Sequence, residues 1–371
     1  MMRITFLMPA DDLTGGNRVV AIYAKILQNR GHSVRVVSNA PASLGLRELL
    51  RLIRHRRWPL LRQRLWPLPG HIALSCVPHT TLERERPITA DDVPDADFVV
   101  ATWWETAVWM QALPSAKGRK VHLIQGYEIW GGETVRDKVH AALQLPNLKI
   151  AISAGLKRDI EAVLGDLAMA VVPNAVDLQL FDAPPRQQAK TPTVGFIYAQ
   201  VAIKGADRCL KAIELARRQI PDLRVLAFGA ELPGTALPLP NDAQYVCRPA
   251  QQQLASLYAA CDAWLFASRL DSFGLPILEA MACRTPVIGV PIGAAPDLLA
   301  DGNGVLLSAE DEEALVAEMA AAIVRLCRLP ASEWQALSEA AYRRARSYSW
   351  EDATDRLEQQ LMQKAPAVSI D

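Results

Sequence analysis

Short apolar runs rich in β-branched residues alternate with helix-patterned stretches along the whole chain. That alternation restricts the fold more than any other feature. Parallel strands need a crossover between them, so strands separated by single helices predict βαβ units with helices on both faces of a buried sheet. Runs at Ile4–Met8, Ser33–Ser38, Phe98–Thr102, Lys120–Gln125, Leu148–Ser153 and Ala168–Pro173 read as one such sheet. The same logic restarts with Thr193–Ala199, Leu223–Gly229, Ala263–Ser268 and Pro286–Val290, so each half reads as one doubly wound sheet. At 371 residues, half of them apolar, the chain can bury a full core in each half. Phe181–Pro192, with its turn residues and no periodicity, is the expected linker.

Turn chemistry marks where helices begin and end. Thr14-Gly15-Gly16-Asn17 follows the first strand and opens a helix to about Arg30, which Gly31 stops. Lys204-Gly205 opens a helix after the first strand of the second half. Ser308 and Asp311 read as a capping pair before a helix whose Leu315, Met319, Ile323 and Leu326 form one apolar stripe, a scaffold element.

Charge and cysteine usage exclude several classes. The formal net charge is zero, which argues against a general nucleic-acid binder. The six cysteines, at 76, 209, 247, 261, 283 and 327, show no C-x-x-C pair and no His/Cys ligand spacing, so they suit a reducing compartment and supply no metal site. All six histidines lie in the first half, excluding a histidine-bearing hydrolase triad in the second. The first residues reach Asp11 before an apolar signal region forms, and no later run approaches a membrane span. The expected location is the cytoplasm, with or without attachment to a membrane surface.

The segment from Asp271 to Glu279 carries the chemistry. Ser272-Phe273-Gly274-Leu275 reads as a turn entering a helix at Pro276, whose fixed φ and missing N–H suit the first helical position. The N–H groups of such a turn accept a phosphate or diphosphate, yet Asp271 and Glu279 would repel a bare anion. A ligand both anionic and hydroxyl-rich resolves the conflict, and a nucleotide sugar is one: its diphosphate takes the N–H groups while the carboxylates take hydroxyls. Gly15 and Gly16 sit at the carboxyl end of the first strand, where doubly wound folds place ligands, although glycine pairs there also serve steric needs. One such turn in each half suggests a ligand held in a cleft between the domains. Lys204 stands at a helix start; as a surface lysine it needs no partner, but helix N-termini disfavour cations, which favours an anion beside it.

Val172-Pro-Asn-Ala-Val-Asp177 with Phe181, Lys204-Gly205, the run Asp271 to Val287 and Asp301-Gly-Asn-Gly304 resemble the group 1 glycosyltransferases, the large retaining family 4. The resemblance spans nearly all of the second half and is looser in the first, through Gly15-Gly16 and Gln125-Gly-Tyr-Glu128. It implies a GT-B architecture: two facing Rossmann-like domains, 1–182 on the acceptor side and 190–348 binding the donor. It also implies a helix in 349–371 that crosses back to the first domain. The family's Glu-x7-Glu pair maps onto Asp271 and Glu279, by the transferred sugar and the donor ribose respectively, with Asp in the first place. The backbone of Phe273-Gly274-Leu275 is expected to cradle the diphosphate. An Arg common five residues before the diphosphate lysine would be Ala199, leaving Lys204. Gln125 stands in the place of a histidine that contacts the donor sugar, and Gly293-Ala-Ala-Pro-Asp297 where Gly-Gly-x-x-Glu is usual.

Two further clusters stand apart from the donor motifs. Arg47–Trp66 combines seven arginines with two tryptophans and several leucines against one acid, Glu48. Up to Pro59, Leu49, Leu50 and Ile53 can separate from Arg51 and Arg54 on a helix. A solvated cationic helix satisfies the charges. The interleaved apolar residues favour an interfacial segment in which Arg51, Arg54, Arg56, Arg57 and Trp58 touch anionic lipid. Trp103 and Glu105 follow a strand and open a helix, and Tyr127 with Glu128 forms a similar loop. Aromatics there are commonly core, yet the placement suits acceptor contacts.

The expected activity is retaining transfer of a sugar from a nucleoside diphosphate donor to a hydroxyl of a glycan, lipid-linked, in bacterial surface polysaccharide assembly. No cofactor or metal is required. The departures at Asp271, Ala199 and Gln125 leave open a nucleotide-binding but catalytically silent GT-B subunit, or a GT-B epimerase or phosphorylase.

Overall fold

The computed structural model describes every residue except 42, 43, 56, 57, 59, 60, 62–68 and 364–371. Contacts divide the chain into two compact units. The first comprises Met1–Ile152, Asp159–Val172 and Thr354–Asp371; the second comprises Ser153–Arg158 and Pro173–Ala353.

Among the described residues the first unit is built on a seven-stranded sheet: β1 (Arg3–Met8), β2 (Ser33–Ser38), β3 (His79–Thr81), β4 (Phe98–Ala101), β5 (Arg119–Ile124), β6 (Leu148–Ala151) and β7 (Ala170–Val171). Its order is β3-β2-β1-β4-β5-β6-β7, and each neighbouring pair is parallel. The second unit carries six strands: β8 (Thr193–Ile197), β9 (Arg224–Gly229), β10 (Gln244–Cys247), β11 (Ala263–Phe266), β12 (Val287–Gly289) and β13 (Val305–Leu306). Their order, β10-β9-β8-β11-β12-β13, repeats the winding of the first sheet. In each sheet the order reverses beside the first strand, between β1 and β4 and between β8 and β11. Crevices for ligands open beyond the carboxyl ends of the strands at such points.

The central strands are buried on both faces, which is why they read as continuous apolar runs. Leu7, Val37, Val99 and Ala101 pack with Ala107 and Met110 of the helix Trp104–Gln111. Three strands were not expected, β3, β10 and β13, and each is an edge strand of two to four residues. An edge strand is buried less and paired on one side only, so it needs no apolar run.

The last helix, Trp350–Met362, belongs to the first unit from Thr354 onward, the return that the resemblance implies. Leu357 and Leu361 are buried, Arg30 Nη1 donates to Asp355 Oδ1 and Glu358 Oε2 at 2.6 Å each, and His32 Nε2 lies 2.6 Å from Glu358 Oε1.

Several local expectations change. The stretch 181–192 is laid against the second unit: Gln188 Nε2 donates to Cys327 O at 3.0 Å, Ala189 N–H to buried Asp262 at 2.9 Å, and Arg284 Nε to Ala183 O at 2.8 Å. Turn residues without periodicity mark irregular chain, docked or free alike. Asp311 alone caps the helix Glu312–Cys327, its Oδ1 accepting from Ala314 N–H at 2.8 Å. Ser308 instead donates to Glu318 of that helix, 3.1 Å away. Among its described residues the basic stretch forms a helix over Leu46–Arg54, a turn at His55, and is helical again at Trp58 and Leu61. Within Leu46–Arg54, Leu52 is buried, while Leu50 and Ile53 are exposed with Arg51 and Arg54. Arg56 and Arg57 lie outside the described residues. No described helix is long and apolar enough to cross a membrane.

Candidate functional site

In the second unit, the turn after β11 is built as its sequence demands. Gly274 takes φ +87°, a left-handed conformation that favours glycine, and the helix Leu275–Ala282 follows with Pro276 in its first turn. Asp271 closes the turn, its Oδ1 accepting from Phe273 N–H at 3.2 Å. Buried Phe273 anchors it, and its carbonyl accepts from Ala294 N–H at 3.1 Å. The Ser272 carbonyl accepts from Ser153 Oγ at 2.6 Å. The backbone from Ser272 to Leu275 is therefore held from both sides.

The two carboxylates have different surroundings. Asp271 Oδ2 lies 3.2 Å from Lys204 Nζ; the lysine side chain is 45% exposed and the aspartate 17%. Glu279, on the helix, is only 5% exposed, and its Oε2 accepts from Tyr258 Oη at 2.8 Å. Tyr258 packs edge-on against Phe181, ring centroids 6.0 Å apart, which links Glu279 to the Asp177–Phe181 part of the resemblance.

Lys204 closes a 3₁₀ turn, Ala202–Lys204, ahead of the helix Ala206–Arg217. Gly205 between them has φ +70°, and a Cβ there would overlap the Ala267 carbonyl oxygen just past β11. The turn is pinned by ion pairs: Arg269 to Asp207 at 2.8 Å, Arg269 to Glu312, and Arg208 Nε to Glu312 at 3.0 Å. Hydrogen bonds from Arg269 hold Asp207 below the usual carboxylate range, and those from Arg208 do the same for Glu312.

In the first unit, Gly15 opens onto free space and Gly16 lies against the Gln125 side chain. The helix Gly15–Asn29 already has a carboxylate at its start: Asp12 Oδ1 accepts from Thr14 N–H at 2.9 Å, Thr14 Oγ1 at 2.6 Å and Asn17 Nδ2 at 2.8 Å. That negative charge weakens the anion-accepting reading of this turn. Gln125 Oε1 is buried with no hydrogen-bond partner, so the amide has capacity for a donor such as a sugar hydroxyl.

Beyond the ends of β4 and β5, the rings of Trp103 and Trp130 meet at a tilt of 53°, centroids 5.9 Å apart. Glu128 is buried, and its Oε2 accepts from Trp104 N–H at 3.0 Å at the start of the helix Trp104–Gln111. Burial pushes its carboxyl up to about 8, opposed by that N–H and reinforced by the charge of Glu105 in the first helical turn. Tyr127 is buried and its hydroxyl meets His140 Nε2 at 2.7 Å, so it is tied to the helix Glu133–Leu143. His122 is driven down to about 3 by burial and by Lys149, so it stays neutral and serves packing.

Lys204, Asp271 and the Ser272–Leu275 backbone thus converge in the second unit, as do Gly16 and Gln125 in the first. Tyr258, Arg269, Asp207 and Glu312 join these clusters without having been marked in the sequence. Their partners lie 21 to 67 residues away for the hydrogen bonds of Tyr258 and Arg269.

Residues 191–328 match the family model for Glycosyl transferases group 1. A D-inositol 3-phosphate glycosyltransferase of Mycobacterium marinum is 32% identical over 210 residues, a match covering 50% of this chain and 43% of that protein. The chain thus spans less than half the length of this relative. Anabaena HepE in complex with UDP and glucose superimposes with a TM-score of 0.72 at 20% identity, covering 98% of this chain and 100% of that one. Sucrose-phosphate synthase from Thermosynechococcus elongatus does so at 0.68 and 16% identity, covering 96% and 98%. The fold, two parallel-sheet α/β units, is that of the GT-B glycosyltransferases.

Proposed function

We propose, for a chain whose residues 191–328 belong to the glycosyl transferases group 1 family, that it is a retaining glycosyltransferase. It takes a sugar from a nucleoside diphosphate sugar and places it on a hydroxyl of a glycan acceptor. The observation that carries this reading is the pinned turn in the second unit, where Lys204 and the start of the helix Leu275–Ala282 meet at the carboxyl ends of β8 and β11. The diphosphate is bound by the backbone of Ser272, Phe273, Gly274 and Leu275 and by the Lys204 ammonium. Glu279, held by Tyr258, takes the donor ribose, and Asp271 faces the transferred sugar.

The glycosidic C–O bond to the diphosphate breaks while the acceptor oxygen bonds to the same face of the sugar. The acceptor proton passes to the leaving phosphate oxygen. Lys204 and the helix N–H groups stabilise the charge that develops on the diphosphate, the usual source of catalytic power in a preorganised site. No cofactor or metal is assigned a role. On the first unit Gly15, Gly16 and Gln125 contact the donor, and Trp103, Glu105, Tyr127 and Glu128 contact the acceptor. A lipid-linked acceptor, in bacterial cell-surface polysaccharide biosynthesis, fits the exposed helix Leu46–Arg54, whose Arg51 and Arg54, with Trp58 beyond it, meet an anionic membrane surface. The resemblance and the GT-B neighbours favour cytoplasmic action; UDP with glucose, bound by HepE, is the first donor chemistry to try.

A thermal-shift screen across UDP, GDP, ADP and their sugars identifies the donor, since stabilisation grows with affinity. The Glu279→Ala variant is then expected to lose donor binding and transfer together. Donor affinity and turnover equal to wild type in that variant would sink the assignment.

A further inference from the structure

Lys204 is an unbranched cation on a short turn, and nothing in its own segment fixes where its ammonium stands. Its turn is held instead from the other strand end of the crevice. The Arg269 backbone N–H donates to Ile203 O at 2.8 Å, and its Nη1 donates to Ala202 O at 2.6 Å. The same guanidinium makes a two-pronged bond to Asp207, Nη1 to Oδ1 and Nη2 to Oδ2, both 2.8 Å, in the first turn of the helix that follows Lys204. Nη2 also meets Glu312, which Arg208 holds from its other side. One side chain therefore grips the chain before Lys204 and the chain after it. Two residues on, Asp271 reaches the Lys204 ammonium itself.

Charge counting separates this arginine from a phosphate ligand. Arg269 and Arg208 are matched by Asp207 and Glu312, and the Arg269 fork is directed at protein acceptors. A planar fork with fixed donors suits that clamping; a lysine offers one point charge and could not hold a carbonyl and both carboxylate oxygens together.

We infer that Arg269 is a positioning residue that sets Lys204 against the diphosphate of the donor through its grip on Ala202, Ile203 and Asp207. The inference rests on the donor reading given above. It supplies a function for an arginine two positions before the Asp271 motif, where the usual diphosphate arginine is replaced by Ala199. Arg269 acts on the same ligand group from behind the lysine.

The test compares UDP with uridine by calorimetry in wild type, Lys204→Ala, Arg269→Gln and the double variant. UDP affinity is expected to fall about tenfold in Arg269→Gln, the loss of roughly one charge-assisted hydrogen bond to phosphate, with uridine affinity unchanged. The double variant is expected to bind UDP no more weakly than Lys204→Ala, and Arg269→Lys is expected not to restore binding. If Arg269→Gln yields no folded protein, Asp207→Asn loosens the forward half of the grip, and UDP affinity is expected to fall by a smaller factor with uridine affinity again unchanged. Losses that multiply in the double variant, UDP and uridine falling together, or unchanged UDP affinity would each overturn the inference while leaving the donor reading intact. Wild-type protein that binds none of UDP, GDP and ADP would overturn both.

Discussion

Lys204 Nζ lies 3.2 Å from Asp271 Oδ2, so the cation assigned to the diphosphate and the first acid of the donor motif form an ion pair. A diphosphate taking this ammonium shares it with a carboxylate of its own sign. The Asp271→Asn variant removes both the competition and the repulsion. Because a pair this exposed is worth at most about 1 kcal/mol, UDP affinity should rise by up to about fivefold. Transfer should fall, since the carboxylate facing the sugar is gone. Calorimetry at low and high salt checks the first expectation and product formation the second. Weaker UDP binding by Asp271→Asn would show that the aspartate holds the lysine in place rather than competing for it.

Gly205 tests the same turn through the backbone. At φ +70°, with Ala267 O where a Cβ would stand, alanine there is both strained and sterically blocked. Gly205→Ala should cost about 2 kcal/mol or more of stability, from the left-handed backbone and the forced loop shift together. Denaturant unfolding measures that. If the turn moves as a unit, UDP affinity falls in the surviving folded protein, whereas an unshifted turn leaves both quantities near wild type.

The sequence made the winding of both sheets legible because their central strands are buried on both faces and must be apolar throughout. β3, β10 and β13 were hidden because an edge strand carries no such requirement. At the site, Gly274, Pro276 and Lys204 could be read because each answers a local demand, a left-handed turn, a helix start or an anion. Arg269 could not, since its partners Ala202, Asp207 and Glu312 are 67, 62 and 43 residues away and arginine is common on surfaces. Asp12 escaped notice for the opposite reason. It stands beside the glycine pair, but only the fold shows its Oδ1 gathering Thr14 and Asn17 and so placing a negative charge at the helix start where an anion was expected.

Glu128 gives the first unit a titration of known sign. Its folded-state pKa of about 8 lies above the ordinary carboxyl value because burial disfavours the charged form. A carboxyl raised on folding stabilises the fold fully below its unfolded pKa, and that contribution is lost as pH rises through the folded value. Between about pH 4.5 and 8, wild type should lose stability relative to Glu128→Gln by at most about 1.4 kcal/mol per pH unit. Melting curves of the two proteins from pH 5 to 9 should therefore diverge, the glutamine variant being favoured at the alkaline end. Parallel curves would mean that Glu128 ionises in the fold as easily as in solution.

The helix Leu46–Arg54 turns apolar and cationic residues outward together: Leu46, Leu50 and Ile53 are 72%, 58% and 41% exposed, and Trp58 beyond it is 56% exposed. A purely solvated helix would gain nothing from showing these side chains to water, whereas an interfacial one buries them while its arginines meet lipid phosphates. Each arginine near an anionic surface contributes about 1 kcal/mol, so Arg51→Gln with Arg54→Gln should weaken partition onto phosphatidylserine-containing vesicles by roughly thirtyfold at low salt. Leu50→Ser with Ile53→Ser should weaken it too, and that loss should persist at high salt, where screening has already removed the charge contribution. Flotation assays separate the two, and transfer to a water-soluble acceptor should be unaffected by either pair. Wild-type and variant proteins floating alike would leave this helix with no membrane role, its leucines then marking an ordinary exposed surface.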